Sequence, residues 1–109
     1  MKRILLLIKN VQSFAYLLTL FVMANASLIS VTVEFVRATL SEAEAGHDWW
    51  HTQRVWRNAQ HIAAEENVDE LVVELSALLH DIADAKFHGG DEEIGPKTAL
   101  RFLEQQAVD

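Results

Sequence analysis

His80 and Asp81 stand side by side at the end of an apolar run, directly after Leu78-Leu79. A neutral imidazole and a carboxylate offer one divalent cation a nitrogen and an oxygen ligand. Left unpaired on a buried stripe, the same two groups would be costly to desolvate. Asp84, Lys86 and His88 follow closely. An acid and a base beside a metal are suited to activating water and to neutralising phosphate charge. Upstream, His51 leads Arg54, Val55 and Asn58 along one side of a helix. The chain has five histidines (His47, His51, His61, His80 and His88) and no cysteine, so any metal must be held by imidazole and carboxylate. Spacing alone also accommodates a plainer role, with His51 and His80 as hydrogen-bonded structural residues of a bundle. The dipeptide by itself is weak evidence, because it recurs at His47-Asp48. There it reads as a local cap.

The elements that must position these groups read as helices. Asp48 caps a helix from Trp49 to Glu66 whose apolar stripe is Val55, Trp56, Ala59, Ile62 and Ala63, with Asn67 ending it. Asp69 opens the next, with Leu71, Val72, Leu75, Leu78, Leu79 and Ile82 as its buried side. If these two pack antiparallel, His51 looks across at His80. Asp84 lies four residues after His80 and three after Asp81, which places all three on one helix side. Lys86 to Glu93 is a loop containing Gly89-Gly90, and Gly95-Pro96 opens a last helix that buries Ala99, Leu100, Phe102 and Leu103. Ile29–Ala38 is rich in β-branched residues, yet Val33, Val36 and Leu40 follow helical spacing, so it too reads as a helix. Trp49 and Trp50 read as core packing, with the lining of a base-sized pocket as the alternative, and His61 reads as an exposed helix residue. Short connections and no strand pair predict an all-α helical bundle.

Within 109 residues the charge is split. Nine basic and sixteen acidic residues give −7; residues 1–28 hold Lys2, Arg3 and Lys9 with no acid, +3, which leaves −10 for residues 29–109. The acidic body argues against nucleic acid as a partner, which requires a basic face. The basic, apolar leader has a charged start, an apolar middle and Ala24-Asn25-Ala26 as a small-x-small site. That is the outline of an export signal or an anchor. Lys9 interrupts a clean membrane span. An extension from an early start codon, or an ordinary helix packed on the body, is the plainer and favoured account of the leader. A cytoplasmic location is expected, with export or membrane tethering through residues 1–26 as the alternative.

The strings around the chemistry-bearing residues resemble a known family. His51-Thr52-Gln53-Arg54-Val55, followed by His80-Asp81 after Leu78-Leu79, looks like the HD-domain superfamily of metal-dependent phosphohydrolases. Gly46-His47-Asp48-Trp49-Trp50-His51 and His80-Asp81-Ile82-Ala83-Asp84-Ala85-Lys86-Phe87 are similar to a bacterial subgroup that includes proteins assigned as nucleotide phosphohydrolases or pyrophosphohydrolases. The resemblance runs from about Val33 to the C-terminus and leaves out the leader. It implies His51, His80 and Asp81 as metal ligands, Asp84 and Lys86 as catalytic groups, and Arg54 and His88 as phosphate-binding groups. It implies a divalent ion, Mn²⁺ or Mg²⁺, and a small phosphorylated substrate such as a nucleotide. The family carries a further Asp ligand on a helix well downstream. Here only Asp91, Glu92, Glu93, Glu104 and Asp109 follow Asp84. The expectation is therefore the N-terminal part of an HD-domain fold, truncated at its C-terminus, with an incomplete site. Its shortened core invites a homodimer. Two functions stay open: a phosphohydrolase, or a non-catalytic fragment that binds a divalent metal weakly or not at all.

Overall fold

The computed structural model describes residues 1–106, and these are all-helical. Four α-helices follow in order: α1 (Lys2–Thr39), α2 (Trp49–Ala63), α3 (Glu70–Leu79) and α4 (Ile94–Gln105), with a 3-10 turn at Ala85–Phe87 before the last. The fold is the all-α helical arrangement that the apolar spacing predicts.

The leader and the first helix of the body are one continuous 38-residue helix, about 57 Å long at 1.5 Å per residue. Its C-terminal part settles the β-branched stretch. Thr32, Val36 and Leu40 are buried at intervals of four, whereas Val31, which alternation would group with Val33, is exposed. Thr32 satisfies its own hydroxyl by donating to the Leu28 carbonyl at 2.8 Å, a bond available only in a helix. The large apolar side chains from Ile4 to Met23 are exposed, and the long helix stretches the molecule to 69 Å in its longest dimension.

The core gathers Val36 of α1 and Leu40 at its C-terminal cap, Leu78 and Leu79 of α3, Ile82 beyond it and Phe102 of α4. Phe35 and Phe102 stack at 4.1 Å between ring centres, which docks α4 on α1. Trp49 packs against this core with the Arg37 guanidinium over its ring, whereas Trp50 is 61% exposed, so only the first of the two tryptophans is a packing residue. Trp56 Nε1 and Gln60 Nε2 of α2 both donate to Glu74 Oε2 of α3, at 2.7 and 3.0 Å. With His51 of early α2 beside His80 just past α3, these bonds fix the two helices antiparallel.

Two helix ends fall short of their predicted lengths. α2 stops at Ala63, and Glu65 and Glu66 leave it through tight turn bonds to Ile62 and Ala63. Adjacent carboxylates are unfavourable at the negative end of a helix dipole. α3 stops at Leu79, and His80 caps it. The His80 ring takes the Ala77 carbonyl at 2.6 Å, the acceptor that the Asp81 amide would need to continue the helix. Asp84 therefore does not share a helix side with His80 and Asp81. It lies in the turn that follows.

Candidate metal centre

His51, His80 and Asp81 converge from two helix ends. Asp48 accepts a hydrogen bond from the His51 amide at 3.0 Å, capping α2 and fixing where its first turn, and hence His51, begins. The rings of His51 and His80 are 5.5 Å apart, and each of the three residues offers a ligand atom within 4.8 Å of the others. His80 Nδ1 faces a carbonyl, which can only accept. Its proton is therefore on Nδ1, and Nε2 is left with a free lone pair. A ring held at one nitrogen by a backbone carbonyl is the usual support of a metal-binding histidine. Two imidazoles and one carboxylate suit a divalent transition ion, so the donor set fits the metal that the sequence implies.

Asp84, Lys86 and His88 lie on the other side of Asp81. Together with Asp81, Asp84 and His88 line a cleft of about 280 Å³ under the C-terminal end of α1, where Glu42 and Glu44 also face it. That volume is at the small end for a ligand site. Asp84 Oδ1 accepts the Lys86 amide at 3.0 Å. Lys86 Nζ is 4.0 Å from Asp84 and 3.9 Å from Glu44, and it lies over the Phe87 ring, 4.7 Å from its centre. His88 is exposed. Arg54 is exposed one turn along α2 from His51 and forms no ion pair among the described residues, so the structure does not bring it to the cleft. His61 is exposed in the last turn of α2, as its position predicts. Asp109, the last downstream carboxylate, lies outside the described residues.

The reading of His47 as a local cap is wrong. Asp48 alone caps α2, whereas His47 Nδ1 reaches across to Asp81 Oδ2 at 3.0 Å and Asp84 Oδ2 at 3.5 Å. His47, Asp81 and Asp84 form a second group with ligand-type atoms within 4.8 Å. The available signal was Gly46, directly before His47: its φ of +92° is a conformation that other residues rarely adopt. Gly95 does related work from the other side. A Cβ there would lie 3.3 Å from the Ala83 carbonyl, so a glycine lets the start of α4 close on the turn that carries Asp81 and Asp84.

An all-helical fold with two histidines and an aspartate gathered at facing helix ends defines a helical metal-site class. Residues 49–108 match the family model of the HD domain, more than half of the chain, and the protein belongs to that family. Over 52 residues it is 40% identical to an uncharacterized protein, YpgQ, of Bacillus subtilis (strain 168). That stretch is 48% of this chain and 25% of the relative, so the chain spans about a quarter of the relative it matches. No solved structure matches.

Proposed function

We propose that the protein is a metal-dependent phosphohydrolase acting on a small phosphate ester, with the phosphate end of a nucleotide as the preferred substrate class. The observation that supports this is the convergence of His51, His80 and Asp81 beside a cleft that holds Asp84 and His88. A bound divalent ion supplies Lewis-acid polarisation of a phosphoryl oxygen and lowers the pKa of a bound water. Two imidazoles favour Mn²⁺ over Mg²⁺, which prefers oxygen ligands. Asp84, outside the ligand trio, accepts the proton of the attacking water, and the Lys86 ammonium neutralises charge on the phosphate. His88 at the cleft edge offers a further contact to it. The purified chain in Mn²⁺ is expected to release phosphate or pyrophosphate from a panel of nucleotides and p-nitrophenyl phosphate, and to stop when the ion is chelated. Absence of turnover with the ion bound would contradict this reading.

One observation favours a second reading. Each donor group contains only three side chains among the described residues. An ion held by three ligands, with water in the open positions, supports binding without turnover. The same panel, run beside a metal titration, separates the two.

The first part of α1 supports a reading of location as well. It belongs to a helix long and apolar enough to cross a membrane, and its large apolar residues are exposed. Leu5, Leu6, Leu7 and Ile8 are all exposed, so apolar side chains project on every side of that turn and no single groove would cover them. Ile4–Met23 provides the ~20 residues that a bilayer core requires, and Lys9, about 10 Å from Lys2 along the axis, is near enough to the end to snorkel. These features favour a tethered protein over a freely diffusing cytoplasmic one. In fractionated cells the full-length chain is expected in the carbonate-resistant membrane pellet, and deletion of residues 1–23 should move the body to the supernatant. Full-mass protein recovered wholly in the supernatant would contradict tethering.

A further inference from the structure

The metal centre proposed above explains His51, His80 and Asp81 but not why His47 crosses to the same carboxylate. Three neighbours meet the His47 ring. Asp81 Oδ2 is 3.0 Å and Asp84 Oδ2 is 3.5 Å from Nδ1, and Lys86 Nζ is 3.5 Å from Nε2. A lysine ammonium can only donate, so Nε2 must carry the lone pair. The ring proton is then on Nδ1, where it faces two carboxylates that can only accept. One neutral tautomer satisfies all three contacts at once.

We propose that His47 is the positioning residue of the metal centre: its Nδ1–H orients the Asp81 carboxylate for the ion and holds Asp84 beside it. The inference rests on the metal-site reading of His51, His80 and Asp81. Two carboxylates so close repel unless a donor or cation lies between them, and His47 supplies that donor. It is not a ligand itself, although its group has ligand-type spacing. Its Nδ1 is engaged, and the Lys86 ammonium at Nε2 would repel a second cation. Gly46 makes the placement possible through its φ of +92°. The sequence order Gly46-His47-Asp48 thus serves the site twice, with Asp48 fixing the His51 helix and His47 fixing the Asp81 carboxylate. Residues that orient a metal ligand typically contribute about 10- to 100-fold in affinity.

The test is a Mn²⁺ titration of the full chain in detergent, by calorimetry, for the wild type, His47→Ala and His47→Asn, with helical circular dichroism recorded on each. The wild type should bind the ion, His47→Ala should bind it about 10- to 100-fold more weakly at unchanged stoichiometry, and His47→Asn should recover most of the loss. The asparagine amide places an N–H near the position of Nδ1–H, so rescue is not expected if His47 only fills space. Equal affinity in His47→Ala, or a drop in the number of ions bound, would overturn the positioning role while leaving the metal site intact. Failure of the wild type itself to bind would overturn the metal-site reading and this inference with it. One measurement needs no variant: the ¹⁵N shifts of the neutral His47 ring in the ion-free chain should report the proton on Nδ1, and a proton on Nε2 would overturn the proposal.

Discussion

Replacing Asp81 with alanine is expected to weaken Mn²⁺ binding by more than about a hundredfold, beyond the range seen when only a supporting residue is lost. Asp81 is the one residue common to both donor groups. It is the carboxylate beside His51 and His80, it accepts the His47 ring, and it lines the cleft. Its side chain is only 18% exposed, so water is a poor substitute for its contacts. Its loss removes the charge that balances a cation and strands the Nδ1–H of His47. The fold should survive, because Asp81 lies in the turn after α3 and outside the apolar core. Calorimetric titration of the variant, with its helical signal as control, reads this directly. Retained affinity in a folded Asp81→Ala chain would show that the ion, if bound, is held elsewhere.

The second large effect concerns stability. Leu78 is completely buried, at the meeting point of α1, α3 and α4. Leu78→Ala is expected to cost about 2–5 kcal/mol, the transfer term plus the cavity it leaves. Against the ~5–15 kcal/mol of a typical domain this is a large fraction. A body of this size has little core to spare, since Val36, Leu40, Leu79, Ile82 and Phe102 complete its buried cluster. His80 follows two residues later, so loosening this turn of α3 should also blur the geometry of the ligand trio. Denaturant unfolding of the variant measures the first effect, and a loss below about 1 kcal/mol would mean that Leu78 is less tightly packed than its burial implies.

Much of this was legible in the residues. The spacing of Leu75, Leu78 and Leu79 and the caps at Asp48 and Asp69 placed α2 and α3, and with them the meeting of His51 and His80. Helix ends were less legible, because a local competitor decided them. At His80 a side chain takes the acceptor that the backbone would have used, and at Glu65-Glu66 like charge meets the helix dipole. Periodicity carries neither effect. Asp84 was expected on one helix side with His80 and Asp81, but it lies in the turn after His80, beside His47 and Asp81. His47 was missed because its partners are 34 and 37 positions away, and because adjacency to the capping Asp48 offered a simpler role. Arg54 shows the converse. Helical spacing put it beside His51, but a residue three positions along points toward solvent when the site forms at the helix end.

The leader was legible as apolar and basic but not as part of a single helix. Nothing in Ala24-Asn25-Ala26 breaks α1, because alanine favours helix and the flanking residues continue the pattern. A boundary drawn at residue 28 from charge alone therefore falls inside a continuous rod.

Pulsed electron paramagnetic resonance on the Mn²⁺-loaded chain, labelled with ¹⁵N-histidine, asks most directly whether His51 and His80 share an ion. The expected result is hyperfine coupling from two imidazole nitrogens, reduced to one in His80→Ala. A spectrum with no histidine nitrogen coupling, or one unchanged by His80→Ala, would contradict the metal centre.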